Sequence, residues 1–142
     1  MAINLIKLCV GVENLEQLLN WQQRRGYKYN SDIMAVNHVT RNFPKRGAEL
    51  IDGGSLYWVI KGKISARNEI VALEETQDSN GKRACSIVLK TPFVATEPKP
   101  HRPFQGWRYF NDDRKPEDII IGGKHGDIPQ DMLFELRELG LL

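Results

Sequence analysis

Two stretches of this 142-residue chain combine residue types that bind anions. The first runs His38-Val39-Thr40-Arg41-Asn42-Phe43-Pro44-Lys45-Arg46. Its Asn42-Phe43-Pro44 step predicts the start of a short helix reaching about Ile51, because proline is tolerated in a first turn. Arg41, Lys45 and Arg46 would then surround a helix N-terminus, where free N–H groups and the helix dipole favour negative charge. The blander alternative leaves Lys45 and Arg46 facing solvent and pairs Arg41 with Glu49. The second stretch runs from Lys99 to Phe110. It interleaves His101, Arg102 and Arg108 with Phe104, Trp107 and Tyr109, a mixture suited to stacking on bases and pairing with phosphates. The alternative is that these aromatics plug a sheet edge, since large aromatic rings in small domains usually belong to the core.

Other chemistry finds little support. His38, His101 and His125 are far apart and lack metal-type spacing, so no metal and no cofactor is expected. No nucleophile elbow or phosphate-binding loop is present, and Gly53-Gly54 and Gly122-Gly123 read as turns. Cys9 and Cys85 each sit in an apolar run, where cysteine behaves as a small hydrophobe. A reactive thiolate at Cys9 and a disulfide between the two are not expected. Signals for an enzyme are weak throughout.

The elements that must position these residues follow from periodicity. Ile3–Val10 reads as a strand apolar on both faces, bounded by Gly11. Asn14 and Gln17 form a capping box for a helix whose Leu15, Leu18, Leu19 and Gln22 share one face, with Gly26 after Arg24-Arg25 as its stop. Tyr27–Ile33 reads as loop and Val36–Thr40 as a short strand. Ser55–Lys61, rich in Tyr, Trp, Val and Ile, is the strongest strand, and Trp58 is expected to be buried. Gly62 breaks or bulges it. Ile64–Glu75 supplies one long or two short strands, and Asp78-Ser79-Asn80-Gly81 turns into a hairpin strand at Arg83–Lys90. The proline-rich Pro92–Pro103 is expected to be extended and to run over the surface. Phe104–Phe110 is a last strand or a packed loop, and Asp112–Asp118 a turn or single helical turn. Asp127 caps a terminal helix with a Met132, Leu133, Leu136 and Leu139 stripe, stopped by Gly140. The class is α+β: a small, curved, mainly antiparallel sheet or a partly closed β-barrel with flanking helices.

Composition bounds the rest. At 142 residues, one domain is the default, and 41% hydrophobic with 27% charged residues excludes a disordered chain. No apolar run approaches the ~20 residues of a membrane helix, and no secretion signal opens the chain, so the expected location is cytoplasmic with no membrane partner. Val36–Arg67 carries six basic residues against two acidic ones, whereas Asp127–Leu142 carries four acids and one Arg. A basic middle with an acidic end is compatible with an anionic partner.

Four strings carry a resemblance: Ile-Lys-Leu-Cys-Val-Gly at 6–11, His-Val-Thr-Arg with Pro-Lys-Arg at 38–46, Leu-Ile-Asp-Gly-Gly-Ser-Leu-Tyr-Trp-Val-Ile-Lys-Gly at 50–62, and Arg-Pro-Phe-Gln-Gly-Trp-Arg-Tyr at 102–109. Over nearly the whole chain they resemble an uncharacterised bacterial family, the domain of unknown function 1489. The resemblance implies a bacterial cytoplasmic protein and delivers no catalytic residues. The order of a basic helix, a Gly-Gly turn and an aromatic strand also resembles PUA-like barrels, including the ASCH and EVE groups, which commonly bind RNA or modified bases; that is an analogy of fold.

Three functions fit these residues. A nucleic-acid module, most naturally for RNA, would use Arg41, Lys45, Arg46, Arg102 and Arg108, with Trp107 or Tyr57 stacking a base. A small enzyme acting on an anionic metabolite would bind it through Arg41 and Arg102, with His38 or His101 as acid or base. A protein-interaction subunit would dock through the Leu-rich terminal helix. The charge asymmetry favours the first. Oligomeric state has no signature in the sequence.

Overall fold

The computed structural model, which describes residues 3–121 and 124–125, begins with β1 (Ile3–Leu8) and α1 (Leu15–Arg25). The Asn14 side chain accepts a hydrogen bond from the Gln17 N–H at 2.9 Å, while the Gln17 side chain accepts from the Glu13 N–H at 2.8 Å. The expected capping box therefore closes one residue further back. Leu15, Leu18, Leu19 and Gln22 are the buried face of α1, as their spacing predicts. β2 (Tyr27–Lys28) and β3 (Met34–Thr40) follow as a hairpin, so the segment read as loop contributes two residues of strand.

The helix expected from Asn42 to Ile51 shrinks to α2 (Gly47–Leu50), a single turn with Arg46 at its N-cap and no side-chain cap. Residues 42–46 are not helical, and so short a helix offers Arg41, Lys45 and Arg46 no N-terminal anion site. Gly54 then lets the chain enter β4 (Ser55–Ile60): a Cβ there would lie 2.3 Å from the Ile3 carbonyl oxygen and 2.4 Å from that of Leu50. Every residue of β4 is buried. Gly62 is a turn residue rather than a break within a strand. Lys61 at φ +50° and Gly62 at φ +76° make the two-residue turn that matches strand twist between Ile60 and Lys63.

β5 (Lys63–Gln77) is one long strand that serves two partners in succession. Its first half pairs antiparallel with β4, and its second half with β6 (Arg83–Lys90). The expected Asp78–Gly81 turn joins β5 to β6, with Asp78 Oδ1 accepting from the Asn80 and Lys82 N–H groups at 2.9 Å each. The proline-rich segment is extended, as expected, but it is not merely surface chain. β7 (Val94–Pro100) pairs with β5 opposite β4 and buries Ala95 and Thr96. Its outer side bridges to Asp118 at Thr96, and its prolines, Pro98 and Pro100, fall after that bridged stretch. β8 (Trp107–Asn111) pairs antiparallel with β1, and Asp112–Arg114 forms a 3-10 turn. β9 (Ile120–Ile121) and β10 (Lys124–His125) form a separate short pair.

The eight-stranded sheet runs β2-β3-β6-β5-β4-β1-β8, with β7 off that path, and does not close into a barrel among the described residues. It is mainly antiparallel, β1–β4 being parallel. This is an α+β architecture. The expected terminal helix lies outside the described residues. Alternation splits β4 between two cores. Leu56, Trp58 and Ile60 join Leu5, Ile87, Phe93 and the α1 leucines, whereas Tyr57 and Val59 join Ile6, Ile64, Phe104 and Phe110.

A buried polar knot holds the larger core. Asn68 Oδ1, on β5, accepts from Trp58 Nε1 at 2.9 Å and from Gln22 Nε2 at 2.8 Å, and Asn68 Nδ2 donates to the Lys90 carbonyl at 2.9 Å. Asn68→Ala would leave three buried partners short of a bond and is expected to cost about 3 kcal/mol or more. Trp58→Ala, at a side chain only 2% exposed, is expected to cost about 3–5 kcal/mol as a large-to-small core change. Urea denaturation checks both. A midpoint that hardly moves in either variant would contradict the placement.

Candidate functional site

The two basic-aromatic stretches meet. Trp107 Nε1 donates to the Asn42 carbonyl at 3.0 Å, and the Arg46 N–H donates to the Tyr109 hydroxyl at 3.2 Å. The Arg46 guanidinium carbon lies 5.6 Å from the centre of the Tyr109 ring. Arg46 is nevertheless occupied, because its Nε and Nη2 grip both carboxylate oxygens of Glu49 at 2.5 and 2.8 Å. Glu49, which the blander alternative pairs with Arg41, pairs with Arg46 instead. Arg41 and Lys45 are exposed.

The meeting is only partial, since β8 has a period of two. Trp107 packs against the larger core, whereas Phe110 belongs to the smaller one. Arg108 goes with Phe110: its guanidinium carbon lies 5.2 Å from the centre of the Phe104 ring, and His101 meets the same ring edge-on at 5.1 Å. The exposed Arg102 touches His101 through its carbonyl, 2.9 Å from His101 Nδ1. Thus Arg41, Arg46 and Trp107 gather on one side of the sheet, and His101 and Arg108 on the other. His38 and His101 do not share a site.

The groups that the stretches join had a weaker signature in the sequence. Lys7 is the one charge within the apolar β1 strand. Strand register sets it directly between Trp58 on β4 and Trp107 on β8. Residues paired in this way project from the same face. The result is a row Trp107–Lys7–Trp58 across three neighbouring strands. Over its inner end lie His38 from β3 and Trp21 from α1. The His38 and Trp58 ring centres are 5.2 Å apart at 86°, those of Trp21 and Trp58 6.3 Å at 81°, and those of Trp21 and His38 6.4 Å at 76°. Such edge-to-face contacts are the favoured geometry of aromatic pairs.

A cleft of about 880 Å³ opens here, lined by Lys7, Cys9, Asn20, Trp21, Gln23, Arg24, His38 and Trp58 among others. Trp58, almost wholly buried, can only form its floor. A second cleft of about 570 Å³, lined by Lys7, Arg41, Asn42, Gln105 and Trp107 among others, lies on the far side of Lys7. Among the described residues, neither lining contains a carboxylate. Each volume falls in the range of small-molecule sites.

Burial sets the chemistry of the first cleft. The His38 imidazole is pushed down to about 4, chiefly by burial and secondly by the Lys7 charge. It is therefore neutral at pH 7, and its Nε2 is buried with no hydrogen-bond partner among the described residues. The Lys7 ammonium is held below the ordinary lysine range by burial, with Cys9 opposing. Burial pushes the Cys9 thiol up to about 12 against the opposing Lys7 charge, so Cys9 is protonated and a poor nucleophile. Cys9 and Cys85 are both free. No group of three or more His, Cys, Asp or Glu side chains that could hold a metal exists among the described residues.

A family model described as a protein of unknown function, DUF1489, matches residues 5–142. No curated protein and no solved structure matches the chain.

The His38 shift predicts a pH dependence of stability. With a folded value of about 4 against an ordinary 6.5, the unfolded chain takes up this proton first as pH falls. The contribution of His38 is complete above pH 6.5 and is lost between about 6.5 and 4, on the order of 3 kcal/mol. Urea midpoints of the wild type should therefore fall more steeply over that window than those of His38→Phe, which has no proton to gain. Parallel profiles, or an imidazole titrating near 6.5 by NMR, would contradict it.

Proposed function

The chain belongs to the DUF1489 family, and we propose from its own clefts that it is a binding module for single-stranded nucleic acid, holding a base beside Trp21 and His38. One observation carries this reading: an aromatic cleft whose lining holds two cations, Lys7 and Arg24, and no carboxylate among the described residues. Apolar and aromatic walls with a few placed polar groups are what a planar ligand needs, and sequence-tolerant binding of bases combines aromatic rings with cations in this way. Asn20, on α1 in the same lining, supplies an amide donor and acceptor for a base edge. The cations expected to contact phosphate are Lys7, Arg24 and Arg41. RNA is the preferred ligand, because sequence-specific readers of RNA take unstacked bases on aromatic side chains.

The enzyme reading is the weaker one. A neutral His38 near 4 is a poor general acid at pH 7, and the thiol beside it stays protonated. His101, its alternative, sits with Phe104 away from this cleft.

Fluorescence anisotropy with labelled short RNA and DNA at low salt tests the proposal. Binding should weaken with salt, with a log–log slope of about −0.7 per phosphate contact. Trp21→Ala should cost roughly 1–3 kcal/mol of affinity if the ring stacks on a base. Its melting curve, run in parallel, separates lost binding from lost folding. Absence of binding at high micromolar protein, or affinity indifferent to both Trp21→Ala and Arg24→Ala, would remove the proposal.

A further inference from the structure

Lys7 is shared. It lines the 880 Å³ cleft and the 570 Å³ cleft alike. Its two cross-strand neighbours are tryptophans, one associated with each cleft. Adjacent strands lie ~4.8 Å apart, so the backbones carrying Trp58 and Trp107 are separated by two such spacings with the Lys7 strand between them. Each cleft has a further cation of its own, Arg24 in the first and Arg41 in the second. Lys7 forms no ion pair among the described residues, although burial has stripped part of its hydration. An ammonium in that state gains more from an arriving anion than one in bulk water does. The Trp107 ring is held in place by the Asn42 carbonyl and by an edge-on Tyr109 at 5.1 Å.

The order of parts across the sheet is aromatic cleft, single cation, aromatic cleft. A dinucleotide step has the complementary order: base, bridging phosphodiester, base. We propose that the ligand unit is two consecutive nucleotides of a single strand, with Lys7 holding the phosphodiester between a base beside Trp21 and His38 and a base beside Trp107. This rests on the base-binding reading of the first cleft and adds to it a second subsite and the length of the recognised unit. Arg24, in the lining of the first cleft, and Arg41, in that of the second, take the flanking phosphates in this arrangement, so a strand crosses the sheet from α1 toward β8.

Calorimetric titration of the whole chain with the four homodinucleoside monophosphates and the matching 5′-mononucleotides tests this. A monoester phosphate carries more negative charge than a diester, so charge alone favours the mononucleotide. The proposal expects the reverse for at least one base, by about tenfold, from the second stacked ring. Replacing the diester by a neutral methylphosphonate should weaken dinucleotide binding in the wild type but change little in Lys7→Met, which keeps an unbranched stem without the charge. Trp107→Leu should shrink the ratio of the two affinities toward one, and Arg41→Ala should weaken dinucleotides that carry terminal phosphates at both ends while leaving the dinucleoside monophosphates unchanged. Arg41 is exposed, so this second variant keeps the test valid where Trp107→Leu fails to fold. Mononucleotides that bind as tightly as dinucleotides, still weakened by Trp21→Ala, would overturn the two-subsite proposal and leave the base cleft standing. No binding of either class would overturn both.

Discussion

Asn68 is the constraint on which the rest of the molecule depends. Its side chain is wholly buried at the point where β5 leaves β4 and takes β6 as its partner. An amide there must be satisfied, because an unpaired polar group in a dry interior costs more than most contacts return. It is satisfied by α1, β4 and the end of β6 at once, through Gln22, Trp58 and the Lys90 carbonyl. That single residue therefore fixes the seat of the helix on the sheet. It also fixes the orientation of the Trp58 indole, whose N–H donates to it. The packing of His38 and Trp21 follows, since both rings lie edge-on to one so anchored.

A second tie works at the opposite face. Arg67 grips Asp118 with two bonds of 2.9 Å and reaches Ser55 Oγ at 3.0 Å. Both partners are about a quarter exposed, and bidentate geometry gives such a pair directional value beyond its charge. It binds the segment after the 3-10 turn to β5, where Ile119 completes the larger core. The charges thus divide by task. Arg67 and Arg46 have carboxylate partners, while Lys7 and Arg41 form no ion pair among the described residues, although Arg41 also borders a smaller hollow with Asp78. An anion-binding function is easier to assign to the second pair than to the first, although the sequence presents all four as equivalent cations.

Elements and class were legible in the sequence where local rules govern. A run of aromatic and β-branched residues marked β4, alternation marked β6, Asn-Gly marked the β5–β6 turn, and the Asn14/Gln17 pair marked the start of α1. Each depends on residues only a few positions apart. The errors came where partners are distant. The proline-rich segment became β7 because β5 had a free side to offer it. The expected helix at Asn42 shrank to one turn after Arg46, and the residues before it packed against Trp107 and Tyr109 instead.

The site divides along the same line. The sequence by itself determined that two basic-aromatic stretches exist and that Trp58 is buried, because residue type and alternation are properties of the chain. Only the tertiary structure decided that Trp107 and Arg108 face opposite ways into different company, and that Lys7 stands between two tryptophans. Register is a pairing of residues some fifty or a hundred positions apart, and nothing local encodes it. The neutral state of His38 was likewise decided by folding. A histidine acquires its acidity from the water removed around it, and that water is removed by a helix and a strand that meet it only in the folded protein.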